Sequence, residues 1–161
     1  MSAKAELLQK AKKSAARYCA IGERSPRQVT DKLTKLGLSK DQKAIVVFTL
    51  METGFLNESR FAAAFCNDKL KFNTWGKNRL RMELISHQVS KNVIEDTLAS
   101  IDDEYYQNQI LHLLEKKLSR IPIGDAFLIK KKKLTEFAIR KGFESSLVFS
   151  SADQLLSSKR Q

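Results

Sequence analysis

With 161 residues, 42% of them hydrophobic and 29% charged, the chain has the composition of a folded protein, which excludes intrinsic disorder. Its formal net charge of +11, spread along the whole length, points to a polyanionic partner. It shows no secretory leader and no apolar run approaching the ~18 residues of a membrane span, so a soluble cytoplasmic protein with no membrane partner is expected; a monomer is expected as well.

The pattern is helical from end to end. From Ala5 to Ile21, Leu7, Leu8, Ala11, Ala15, Tyr18 and Cys19 recur at three- and four-residue steps. Ser25-Pro26-Arg27-Gln28 is a capping-box start with proline at the first helical position, and the helix it opens carries Val29, Leu33 and Leu36 before Gly37. Ser39 and Gln42 repeat that signal for a third helix, whose stripe is read as Ile45, Phe48 and Met51 and which ends at Gly54. Asn57 caps a fourth helix with Phe61, Ala62, Phe65, Cys66 and Lys69, ending at the break Asn73-Thr74-Trp75-Gly76. A short fifth helix holds Leu80 and Leu84, and Ser90 opens a sixth with Ile94 and Leu98. Asp102 and Asp103 begin a seventh through Tyr106, Ile110, Leu113, Leu114 and Leu118, which Arg120-Ile121-Pro122-Ile123-Gly124 interrupts. The eighth runs to about Lys141 before Gly142, and a weaker ninth covers roughly Ser146 to Leu156.

The middle helices repeat. Val29, Leu33, Gly37 and Leu38 match Leu80, Leu84, Gln88 and Val89, which match Leu134, Ala138, Gly142 and Phe143. The expected fold is all-α, an elongated array of three tandem three-helix repeats over residues 1–56, 57–101 and 102–161. Gln88 replaces the glycine of its two counterparts, so a distorted or costlier helix end is expected there.

An enzyme finds no footing. There is no glycine-rich phosphate loop, and Cys19, Cys66, His87 and His112 lack the close pairs of a zinc site, so no cofactor and no metal is expected. The cysteines read as buried free thiols. Asp102, Asp103 and Glu104 complement a helix dipole.

The cations say more. Lys77, Arg79 and Arg81 open the fifth helix, where the dipole disfavours them, which suggests an anion from outside; a merely solvated face is the competing reading. Lys77 and Arg81 share a face, and Arg79 is in reach of Glu83. Lys131 and Lys133 repeat the register of Lys77 and Arg79. With Lys132 they are expected to radiate into solvent, while Lys130 lays its stem over apolar surface. Arg17, with Lys10 and Lys13, forms a weaker basic face. Trp75 is read either as a base-stacking platform or as a packing aromatic beside Gly76. Phe55, Phe61 and Phe65 are read as core.

Several phrases together resemble the RecX family. The most specific is Gly54-Phe55-Leu56-Asn57-Glu58-Ser59-Arg60-Phe61-Ala62. Trp75-Gly76 follows, then Arg79-Leu80-Arg81-Met82-Glu83-Leu84, and last Phe137 to Gly142-Phe143. Arg24-Ser25 and Leu33 match in the first repeat. Asn57 stands where the family favours aspartate, and Ser86-His87-Gln88 where it favours a basic-Gly turn. The resemblance implies a non-enzymatic regulator that binds the groove of the RecA–DNA nucleoprotein filament and dampens RecA's ATPase and strand exchange in repair and recombination. Single- or double-stranded DNA is a further candidate partner. The rival is a stand-alone helical DNA-binding protein of helix-turn-helix type, acting without RecA.

Overall fold

The computed structural model describes residues 2–159. Among them it contains nine α-helices, one π-helical turn and no strand: α1 (Ala3–Ile21), α2 (Pro26–Lys35), α3 (Lys40–Glu52), α4 (Glu58–Asp68), π1 (Lys69–Asn73), α5 (Lys77–Ser86), α6 (Lys91–Ala99), α7 (Asp103–Leu118), α8 (Phe127–Arg140) and α9 (Ser145–Lys159). The sequence start signals are realised atom by atom. Ser25 and Ser39 both form complete capping boxes, with Gln28 and Gln42 reaching back to the cap. The Asn57 side chain accepts from Arg60 N at 2.8 Å, and Asp102 from Tyr105 N at 2.8 Å. Gly37, Gly54 and Gly142 take positive φ just past α2, α3 and α8. Gln88 holds the same left-handed conformation after α5, φ 64°, without the freedom glycine would bring.

The chain forms two compact units. Among the described residues, one comprises 2–65 together with Glu83–Thr97; the other comprises Cys66–Met82 and 98–159. In the first, Ala11, Ala15 and Cys19 of α1 meet Val29 and Leu33 of α2, Val46 and Leu50 of α3, and Leu56. The α3 stripe differs from expectation. Val46 and Leu50 are buried, while Ile45, Met51 and especially Phe48, 65% exposed, face outward. The run 44–51 is apolar almost all the way round, so periodicity could not choose its face. Leu36 is likewise exposed, because it sits at the α2 C-cap and not within the stripe.

In this unit Ser86-His87-Gln88 does more than replace a turn. Ser25 Oγ and His87 Nδ1 lie 2.9 Å apart, Arg27 N donates to the His87 carbonyl at 3.3 Å, and Arg27 donates to Ser86 Oγ at 2.7 Å. Ser25 is fully buried, and these contacts tie its capped helix start to the end of α5. His87 also packs on the rings of Phe61 and Phe65.

The second unit is built on Leu70, Tyr106, Ile110, Leu113 and Leu114, with Leu134, Ala138 and Phe143 and the α9 residues Val148, Ala152, Leu155 and Leu156. Helix α9 is longer than its serine-rich sequence suggests. Ser151 sits in its apolar stripe as a small buried residue, and its hydroxyl accepts from Gln107 Nε2 at 2.8 Å.

Candidate functional site

The start of α5 is seated on the turn between α8 and α9. Gly76 N donates to the Lys141 carbonyl at 2.8 Å, and Asn78 N to the Gly142 carbonyl at 2.9 Å. Lys77 N donates to the Tyr106 hydroxyl at 2.9 Å, and that hydroxyl in turn donates to Glu144. Burial, followed by the bond to Glu144, pushes the Tyr106 phenol well above its ordinary range, so it remains a donor. The seat has no room for a side chain. A Cβ on Gly76 would stand 2.3 Å from Gly142 C and Phe143 N, and one on Gly142 would stand 2.4 Å from Arg79 Cβ.

The basic residues of α5 therefore do not sit on an open helix start. The first N–H groups of α5 are taken by the protein's own oxygens and are not open to an anion. The carbonyl end of α8 also lies against them, and its negative dipole offsets cations at the α5 start by a few tenths to ~1 kcal/mol each. What remains for a partner is the side chains. Arg79 lies over the Trp75 ring at 4.0 Å, with Lys69 Nζ 5.0 Å from the same ring. Lys77 Nζ stands 4.8 Å from the Tyr106 ring, and the Arg81 charge acts on the Tyr106 phenol. Arg81 also donates to Asn78 Oδ1 at 3.2 Å. Desolvation first, and then the neighbouring Arg79 charge, lower the Lys141 amine from its ordinary value. The structure therefore gathers Lys69, Lys77, Arg79, Arg81 and Lys141 around one seated helix start. Trp75 is half-buried, with two cations already against its ring.

Residues 57–98 match the family model described as "RecX, second three-helix domain", and residues 103–150 match "RecX, third three-helix domain". The chain belongs to the RecX family. A "Regulatory protein RecX" of Clostridium botulinum (strain Eklund 17B / Type B) is 35% identical over 127 residues, covering 78% of this chain and 58% of that protein. A "Regulatory protein RecX" of Chlorobium phaeobacteroides (strain BS1) is 27% identical over 142 residues, covering 86% of this chain and 89% of that one. The chain thus spans under two thirds of the length of its Clostridium relatives. The crystal structure of RecX from Lactobacillus salivarius shares the fold, with a TM-score of 0.84 at 22% identity over 95% of this chain and 98% of that one.

The phrases that carry the RecX resemblance have structural roles. Arg60 donates to the Gly54 carbonyl at 2.7 Å and to Glu23 at 2.9 Å, closing the link into α4. Glu58 accepts from Ser90 N and Ser90 Oγ, both at 3.1 Å, and so anchors the start of α6. Phe61, Leu84 and Phe143 are buried, and Glu83 is half-buried. Phe55 is 44% exposed, contrary to its reading as core, because the turn after Gly54 buries Leu56 in its place.

The basic face of α8 differs from expectation. Lys131 pairs with Asp153 and Lys133 with Asp125, each at 2.7 Å, so two of the three lysines are engaged within the chain and do not radiate freely. Lys132 is exposed, as is Arg17 on α1. Lys130 is half-buried beside Phe127 and Leu156, as its register implies. Cys19 and Cys66 are buried free thiols. Among the described residues no group of three metal-ligating side chains converges, and no helix is long and apolar enough to cross a membrane.

The sequence reading missed Lys69, Lys141 and Tyr106 as members of this site. They come from π1, the end of α8 and α7, and only the fold brings them to α5. The one signal available was the pairing of Gly76 with Gly142 among the motif glycines.

Proposed function

We propose that this chain binds the RecA–DNA nucleoprotein filament and restrains RecA, as a cytoplasmic, non-enzymatic monomer of three tandem three-helix repeats (1–56, 57–101, 102–161). Its membership of the RecX family supports this reading, and the observation that carries it to particular residues is the cation cluster at the seated start of α5. The fold consumes the backbone donors there, and Lys77 and Arg81 share one face, which would meet acidic filament surface or phosphate, Arg81 giving up its bond to Asn78 to do so. A filament repeats its site at every subunit, so an array of repeats gains by engaging neighbouring sites together.

The test is inhibition of RecA's DNA-dependent ATPase by wild type and by Lys77→Glu/Arg81→Glu at several salt concentrations, with melting curves as the folding control. The double variant should lose inhibition while remaining folded, since its altered side chains are not the groups that seat α5. If the lost contacts were to phosphate, the salt slope should fall by about 0.7–0.9 log units per contact. Equal inhibition at every salt would remove this face from the interface. Lys132 of α8 and Arg17 of α1 would then be the next cations to reverse.

A further inference from the structure

The π1 turn, α7 and the end of α8 enclose a depression of about 440 Å³ beside the α5 seat, with which it shares Lys141. Five cations line it, Lys71, Lys116, Lys117, Arg120 and Lys141, and none of the residues lining it carries a carboxylate. Lys116 and Lys117 also complement the dipole at the end of α7. That accounts for two of the five. It does not account for Lys71 arriving from π1, Arg120 from beyond α7, or Lys141 from the end of α8. Like charges that converge on one hollow repel, and an anion in the hollow relieves them.

A second feature points to the kind of anion. Phe72, in π1, lines the same hollow and is 73% exposed, with Lys71 Nζ 5.3 Å from its ring. An exposed aromatic face beside a basic hollow is the pairing that binds unpaired nucleotides: phosphates on the cations, a base on the ring. A duplex offers phosphates but keeps its base faces stacked internally. An acidic peptide satisfies the cations and gives the ring nothing to stack on. π-helical turns are frequent at functional sites, and this one places Phe72 at the rim.

We propose that this hollow binds single-stranded nucleic acid, with the strand's phosphates on Lys71, Lys116, Lys117, Arg120 and Lys141 and an unpaired base on the Phe72 ring. The site shares only Lys141 with the cation cluster around α5, contains neither Lys77 nor Arg81 and needs no RecA, so it is tested without RecA and stands or falls independently of the filament reading.

The experiment is fluorescence anisotropy of the full chain with a labelled oligothymidylate of about 15 nucleotides, near the upper site size of single-strand binders, and with a duplex of equal length. Phe72→Ala should weaken binding to the single strand by roughly 5- to 150-fold, the range of one lost base stack, and leave duplex binding unchanged. Lys71→Glu/Lys116→Glu should weaken it further and reduce the salt slope by about 1.4 log units, for two phosphate contacts on a single strand. Lys40→Glu/Lys91→Glu, on exposed positions at the starts of α3 and α6, makes the same change in net charge and should have little effect. The proposal is overturned if the Lys71/Lys116 reversal weakens binding no more than this control, or if Phe72→Ala binds the single strand as wild type does. Binding of a polyglutamate peptide with none of the oligonucleotide would assign the hollow to an acidic protein instead. All of the altered side chains are exposed, and melting curves check that each variant folds.

Discussion

Gly76→Ala puts the seat of α5 under direct test. The new Cβ would lie 2.3 Å from two backbone atoms, Gly142 C and Phe143 N, and 2.5 Å from Gly142 O. Carbon contacts settle at ~3.5–4.0 Å, so α5 must retreat by more than about an ångström or the α8–α9 turn must yield. Neither neighbour is the flexible end of a side chain. Retreat also stretches the bonds from Gly76 N to Lys141 and from Asn78 N to Gly142. Each is worth ~0.5–1.5 kcal/mol net, and overpacking adds ~1–3 kcal/mol, so the expected cost is about 2–6 kcal/mol. At ~2–4 °C per kcal/mol for a protein of this size, Tm should fall by roughly 4–24 °C. Gly22→Ala is the control: no atom lies within 4 Å of its Cβ position and its φ of −172° is extended, so its effect should stay within ~1 kcal/mol and tend to stabilise. Thermal unfolding followed by circular dichroism reads both. A Gly76→Ala protein melting within about 2 °C of wild type would refute the close approach.

Further expectations follow from single residues. Gln88→Gly should raise stability by up to ~1 kcal/mol, because it relieves a left-handed conformation costing ~1–2 kcal/mol for a residue with a Cβ; no gain in a denaturant titration would mean Gln88 is held by compensating contacts. Leu50→Ala should cost ~2–5 kcal/mol and Phe48→Ala under ~0.5 kcal/mol, and a reversed order would restore the stripe first read from sequence. Burial pushes the Cys66 thiol up to about 12, whereas an unfolded thiol ionises near ~8.5. Between those values the unfolded chain holds fewer protons than the native one. The stability tied to this thiol is therefore fully present below about pH 8.5 and lost as pH rises toward 12, by up to ~1.4 kcal/mol per pH unit. Cys66→Ala should flatten that slope in urea titrations at neutral and alkaline pH. Equal losses in both proteins would contradict the burial argument.

The helix order was legible because its signals are local. Ser25 with Gln28 and Ser39 with Gln42 announce two helix starts within four residues each, and Gly37, Gly54 and Gly142 mark ends by the one conformation they tolerate. What failed was the choice of face where apolar residues surround a helix. On α3 the burial of Val46 and Leu50 over Ile45 and Phe48 is decided by α1 and α2, not by spacing along α3 itself. The serine-rich α9 looked weak for the opposite reason, since Ser151 behaves as a core residue only once Gln107 satisfies its hydroxyl.

The basic site was legible in half. Lys77, Arg79 and Arg81 stand together in sequence, and their awkward place on the helix dipole drew attention to them. Their relief by the α8 carbonyls and the Tyr106 hydroxyl depends on groups from 29 to 65 positions away, with no local trace. Lys131 and Lys133 looked as free as Lys77, and only the positions of Asp125 and Asp153 show them occupied.

The proposed function requires that this chain bind the RecA filament in preference to DNA by itself. Wild-type binding to RecA-coated single-stranded DNA, to the same DNA bare and to RecA without DNA, compared at one physiological salt concentration, tests it most directly. The filament should be bound at least about tenfold more tightly than either component, a difference of ~1.4 kcal/mol that is readily measured by co-sedimentation. Equal affinity for bare and RecA-coated DNA, or tight sequence-dependent binding to a bare duplex, would contradict the claim and favour a DNA-binding protein that acts alone.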